Sequence, residues 1–85
     1  MKLSVKGMAI AVALFWGVLA MLLTGLANMI WPGYGKAFLD LMASVYPGYH
    51  ATATLGDVIV GALYGLLDGA VGGAVFAWLY NRFAG

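Results

Sequence analysis

Residues Val58–Tyr80 read VIVGALYGLLDGAVGGAVFAWLY. This stretch decides the fold. Ten of its residues are Leu, Ile, Val or Phe, and its one charged residue, Asp68, sits near the centre. On a membrane-insertion scale those ten supply roughly −3 to −6 kcal/mol, whereas a central Asp opposes insertion by roughly +2.5 to +3.5 kcal/mol. The segment therefore reads as a transmembrane helix carrying an intramembrane carboxyl group.

Working outward, Gly7–Trp31 is a second uncharged apolar run, of 25 residues, again with ten Leu, Ile, Val or Phe. As a helix it reaches about 37 Å, enough to cross a hydrocarbon core of about 30 Å with some tilt. Lys2 and Lys6 before this run and the small residues Gly25 and Ala27 outline a secretory signal, but the run exceeds a usual signal core. The reading is an uncleaved span. The fold class is thus all-α integral membrane: one domain over residues 1–85, with a span at about 7–31, an interfacial helix at about 36–46 and a span at about 57–81.

Composition agrees. The chain has 85 residues, 65% apolar and 8% charged, with a mean hydropathy of +0.99. A soluble domain is about 25% charged, and one this small cannot bury so much apolar surface. Disorder requires the opposite composition. A net charge of +1 offers no footprint for nucleic acid. The absence of cysteine excludes disulfides, a thiolate nucleophile and iron–sulfur ligation. No catalytic triad, phosphate-cradling loop or pair of carboxylates at catalytic spacing can be assembled. His50 has no second ligand at metal-binding spacing. Neither enzymatic activity, a cofactor nor a metal site is expected.

Basic residues set the orientation. Lys2 and Lys6 precede the first span and Arg82 follows the second, which places both termini in the cytoplasm and residues 32–56 outside a bacterial inner membrane. Trp31 and Tyr34, and Trp78 and Tyr80, suit the headgroup levels. Within the connection, Trp31-Pro32-Gly33-Tyr34 and Tyr46-Pro47-Gly48-Tyr49 predict two type II turns. Between them Phe38, Leu41, Met42 and Val45 share one helical face, opposite Lys36, Asp40 and Ser44. That pattern predicts an amphipathic helix lying in the outer interface. Thr54 and Asp57 have capping-box spacing at the start of the second span.

Gly61, Gly65, Gly69 and Gly73 recur every fourth residue, with Gly72 beside them. Ala9, Ala13, Gly17, Ala20, Thr24 and Ala27 form a stripe of small residues on the first span. Such stripes let helix backbones approach closely. They serve either the packing of the two spans or an interface with a second copy, and the length of the run favours self-association. Asp68 lies on the same face, out of reach of any cationic side chain: Arg82 is fourteen residues on, about 21 Å along the helix. Three roles follow for Asp68. It is a neutral hydrogen-bonding group, for instance to Thr24 or a backbone carbonyl, a lining group of a hydrated pore, or the partner of a cation on another protein. Thr24 and Asn28 are candidates to join it in an interhelical polar network.

The chain resembles small two-span bacterial membrane proteins labelled phage-holin-like or of unknown function. The resemblance covers nearly the whole chain. It rests on Lys2 and Lys6, Pro47-Gly48-Tyr49, Tyr64-Gly65-Leu66-Leu67-Asp68-Gly69 and Phe76-Ala77-Trp78-Leu79-Tyr80-Asn81. It implies a holin-like or channel-like homo-oligomer in the bilayer. Holin-like proteins usually end in a charged cytoplasmic tail, and here Arg82 is the single charge after the second span. A mid-span carboxylate in a hairpin also resembles ATP-synthase rotor subunits, but those carry their glycines on the first helix. The other partner expected from the sequence is a larger membrane protein, on which this chain would pack as a non-catalytic accessory subunit.

Overall fold

The protein's structure, a computed structural model, describes residues 2–84, and among them all regular structure is helical. Helix α1 runs over Val5–Ile30, α2 over Lys36–Val45 and α3 over Leu55–Ala84. Both α1 and α3 are long and apolar enough to cross a membrane. They pack antiparallel in a body of 47 × 20 × 18 Å.

Local chemistry sets the helix ends. The Ser4 side chain accepts from the Gly7 N–H at 3.0 Å and caps α1. At the other end Trp31 precedes Pro32, which disfavours helical geometry, and Trp31 adopts φ −120°, ψ 89°. Tyr46 before Pro47 ends α2 in the same way, at φ −95°, ψ 105°. Both turns form as the sequence predicts. Gly33 and Gly48 have φ of 103° and 83°. The Tyr34 N–H donates to the Trp31 carbonyl at 2.9 Å, and Tyr49 N–H to Tyr46 carbonyl at 3.1 Å. At the start of α3 the Asp57 N–H donates to Thr54 Oγ1 at 3.4 Å.

The glycines bring α1 and α3 together. A methyl group on Gly65 would stand 2.9 Å from the Gly17 Cα, and one on Gly69 would meet the Val12 carbonyl and the Ala13 backbone. Gly73 meets the Met8 backbone, and on α1 Gly25 faces Val58 while Gly17 faces Leu66. The stripe is therefore filled by the protein's own first helix. Gly61, Gly65, Gly69 and Gly73 are buried within the folded chain, where the packing of the two long helices uses them. Gly72 alone of the five has open space around it.

The inward face of α1 also departs from the expected stripe. Residues Phe15–Leu22 are π-helical, and the Leu23 N–H reaches back five residues to the Val18 carbonyl. This wider winding turns the face from Ala20 and Thr24 to Met21 and Gly25, both buried. Ala13 and Gly17, before or at the start of the change, remain in contact with α3.

The connection differs most from expectation. It folds inward along the hairpin instead of lying across its end. The Asn28 side-chain amide donates to the Tyr34 carbonyl at 3.0 Å, and Gly35 sits against the Thr24 methyl. Farther down, the Phe38 ring meets Trp16 edge to face at 5.8 Å, and Tyr49 then returns the chain to Gly61. Leu39, Met42, Tyr46 and Tyr49 form the buried core with Met21. The buried face of α2 consequently runs through Leu39 and Met42, while Leu41 and Val45 are exposed. Packing against Met21 and Trp16 selects this face, and periodicity alone did not.

Adding volume where backbones touch forces a shift of about 1–3 kcal/mol. Gly69→Ala should therefore lower the stability of the protein by that amount, and Gly72→Ala should leave it unchanged or slightly raised. Denaturant unfolding in micelles, followed by circular dichroism, checks the contrast.

Candidate functional site

At mid-length of the hairpin three side chains from three parts of the chain form one hydrogen-bonded line. Trp16 is carried by the π-helical part of α1, Tyr46 by the end of α2 and Asp68 by the middle of α3. The Trp16 indole N–H donates to the Tyr46 hydroxyl at 2.7 Å, and that hydroxyl donates to Asp68 Oδ2 at 2.9 Å. An indole can only donate and Asp68 Oδ2 accepts here, so a hydroxyl, which does both, links them. Tyr46 is 4% exposed, yet its polar tip is satisfied on both sides.

Neighbouring contacts hold Tyr46 in place. Its ring stacks on Tyr64 at 5.1 Å, with 10° between the planes, and meets Tyr49 at 6.4 Å. The Tyr64 hydroxyl donates to the Pro47 carbonyl. Pro47 and Gly48 turn the chain just past Tyr46, so the corner both aims the phenol at Asp68 and anchors itself to α3.

Asp68 itself is exposed on its outer side, beside Leu67 and Val71. Tyr46, and not Thr24 or a backbone carbonyl, is its hydrogen-bond partner in the chain. Thr24 could not serve, because Gly25 is level with Val58, and Asp68 lies ten residues beyond it, about 15 Å. Thr24 and Asn28 instead hold the first turn of the connection, and Asn28 is buried there at 6% exposure. The polar network expected to join Asp68, Thr24 and Asn28 is thus two separate sites.

Two further polar groups carry structure that the sequence reading passed over. Asn81 pairs with the backbone of Leu3, accepting at 2.7 Å and donating at 2.8 Å, which ties the N-terminal segment to the end of α3. Tyr46 was read only as a turn residue. The signal that pointed beyond this was Trp16, an indole N–H in the middle of an apolar helix, which requires a buried acceptor. Lys36 and Asp40 pair at 3.2 Å on the outer face of α2. Searches of protein-family models, curated proteins and solved structures find no match to this chain.

Tyr46→Phe removes both hydrogen bonds and leaves the indole without its partner. It should destabilise the fold by about 1–3 kcal/mol, whereas Asp68→Asn, which keeps an acceptor, should have a smaller effect. Thermal unfolding of both variants in the same detergent checks the order.

Proposed function

We propose that this chain is a small integral protein of a bacterial inner membrane that works by self-association, as a holin-like or channel-like homo-oligomer. Two helices of 26 and 30 residues suit a bilayer. Their outward surfaces present Ile10, Leu14, Phe15, Leu19, Leu63 and Leu67, all exposed. Trp31 and Tyr34 are exposed near one end, and Trp78 and Tyr80 near the other, as aromatic belts require. Lys2, Lys6 and Arg82 belong at the cytoplasmic end.

On this reading the connection is re-entrant. It enters from the outer side, descends as α2, reaches mid-bilayer depth at Tyr46 and climbs back to Leu55. Non-helical backbone at that depth is tolerated where it is covered by protein or lines a water-filled cavity. Tyr46 and Tyr49 are buried, whereas Pro47 and Gly48 are exposed and on this reading are covered by a second copy or face a lumen. The exposed Leu41 and Val45 then face lipid, and the Lys36–Asp40 pair extends toward the headgroups.

One observation carries the functional reading: a carboxyl group at the middle of α3 is exposed on the outer surface of the folded chain. Lipid is a poor covering for it, and an intramembrane ionisable residue marks a functional contact. Gly72, one turn from Asp68 and open, gives a second copy room to approach. Asp68 then stands at the seam between copies or toward a lumen. A second reading, a non-conducting accessory subunit of a larger membrane complex, is favoured by the glycine stripe closing on the chain's own α1, which completes the hairpin without a copy.

Native mass spectrometry of the protein in nanodiscs decides between the two. A single closed homo-oligomer, reduced in Asp68→Asn and in Gly72→Leu, is expected. A monomer, or a stoichiometric larger partner, overturns self-association in favour of the accessory reading. The re-entrant course is checked separately by single cysteines, since the chain has none of its own. In right-side-out vesicles a membrane-impermeant thiol reagent should label His50→Cys and spare Val45→Cys; equal labelling would place the whole connection outside the bilayer.

A further inference from the structure

The flank of Asp68 away from Gly72 is a groove. Val45, Pro47, Leu67 and Val71 form its apolar walls, and Tyr46 and Tyr64 its aromatic side. Its shape is held by hydrogen bonds from all three elements: Trp16 to Tyr46, Tyr46 to Asp68, and Tyr64 to the Pro47 carbonyl. A groove fixed in this way loses little freedom when something binds. Only Oδ2 of Asp68 receives a hydrogen bond among the described residues, so Oδ1 is left for an occupant.

The charge around the groove is one-sided. Lys36 is paired with Asp40 on the far face of α2. Arg82 lies about 21 Å along α3. Leu3 is level with Asn81 and Met8 with Gly73, which keeps Lys2 and Lys6 toward the opposite end. Among the described residues no cation answers Asp68. The hard divalent cations need six or more oxygens, and the groove supplies one free carboxylate oxygen among apolar walls. The exposed surface leading to it is Leu63, Leu67 and Val71, so what arrives there must itself tolerate an apolar medium.

We propose that this groove binds hydrophobic organic cations of the quaternary ammonium or phosphonium class. The cationic centre rests on Asp68 Oδ1 and its apolar or aryl substituents lie against Tyr64, Leu67 and Val71. Aromatic rings beside a carboxylate add cation–π attraction through their faces where water is scarce. The inference goes beyond self-association and requires only that Asp68 be reached from the bilayer, on the flank that Gly72 does not occupy.

The test is equilibrium binding of radiolabelled tetraphenylphosphonium to the full-length protein in detergent micelles. Saturable binding at one cation per chain is expected. Asp68→Asn should weaken it about tenfold or more, and the neutral analogue triphenylphosphine oxide should not compete. Val71→Trp, which fills the groove and keeps the carboxyl group, should weaken binding too. It decides the matter should Asp68→Asn fail to fold by circular dichroism. Absence of saturable binding in the wild type, or binding unchanged in a folded variant of either kind, overturns the proposal. Native masses of the same samples report association independently, so the two readings fail separately.

Discussion

Everything in this fold depends on how closely α1 and α3 approach. Gly65, Gly69 and Gly73 bring one backbone against the other, and Gly17 makes room for Leu66. Helices at that separation gain dispersion contacts along their whole length. The close approach also fixes the register, setting Gly25 level with Val58 and Met8 level with Gly73. That register puts the Trp16 indole and the Asp68 carboxylate at about the same height on neighbouring helices. Neither group can satisfy itself there, and the connection supplies the missing hydroxyl.

The inward course of residues 32–54 is a consequence of this geometry. Two Pro-Gly corners limit the direction of the chain, and between them ten residues form one short helix. Leu39, Met42, Tyr46 and Tyr49 are buried against Met21, which the π-helical stretch has rotated inward. Apolar burial brings the segment in, and the hydroxyl of Tyr46 sets where it stops. Because the phenol is a donor to Asp68 and an acceptor from Trp16, a shift of one residue along α2 would leave all three unpaired. Unpaired polar groups in such a setting are strongly unfavourable. This hydrogen-bonded line therefore selects one arrangement among several that apolar packing alone would accept.

The same arrangement leaves Asp68 with two faces, one oxygen bound inside the fold and the other available outside. The glycine stripe, which drew attention in the sequence as a surface for a second copy, lies inside. Gly72 and the groove between Tyr64 and Val71 are what the folded chain offers to its surroundings. Function, on the reading proposed, attaches to those two flanks of a single carboxyl group.

Much of this was legible in the residues. The lengths and apolarity of the two long helices, the two type II corners and the cap at Thr54 follow from local chemistry, which is written within a few consecutive positions. The importance of Asp68 was legible as well, because a charge amid ten branched or aromatic residues has few explanations. What the sequence could not show was which residue answers it. Periodicity at 100° per residue assigned α1 the face of Ala20 and Thr24, and the π-helical turns replaced it with Met21 and Gly25. It gave α2 the face of Leu41 and Val45, and contact with the hairpin replaced that with Leu39. The partnership of Tyr46 with Trp16 and Asp68 joins positions 30 and 22 residues apart. It exists only once the glycines have set the register of the two long helices, so tertiary packing decided it: burial chooses a face from what lies opposite, and no local pattern contains that.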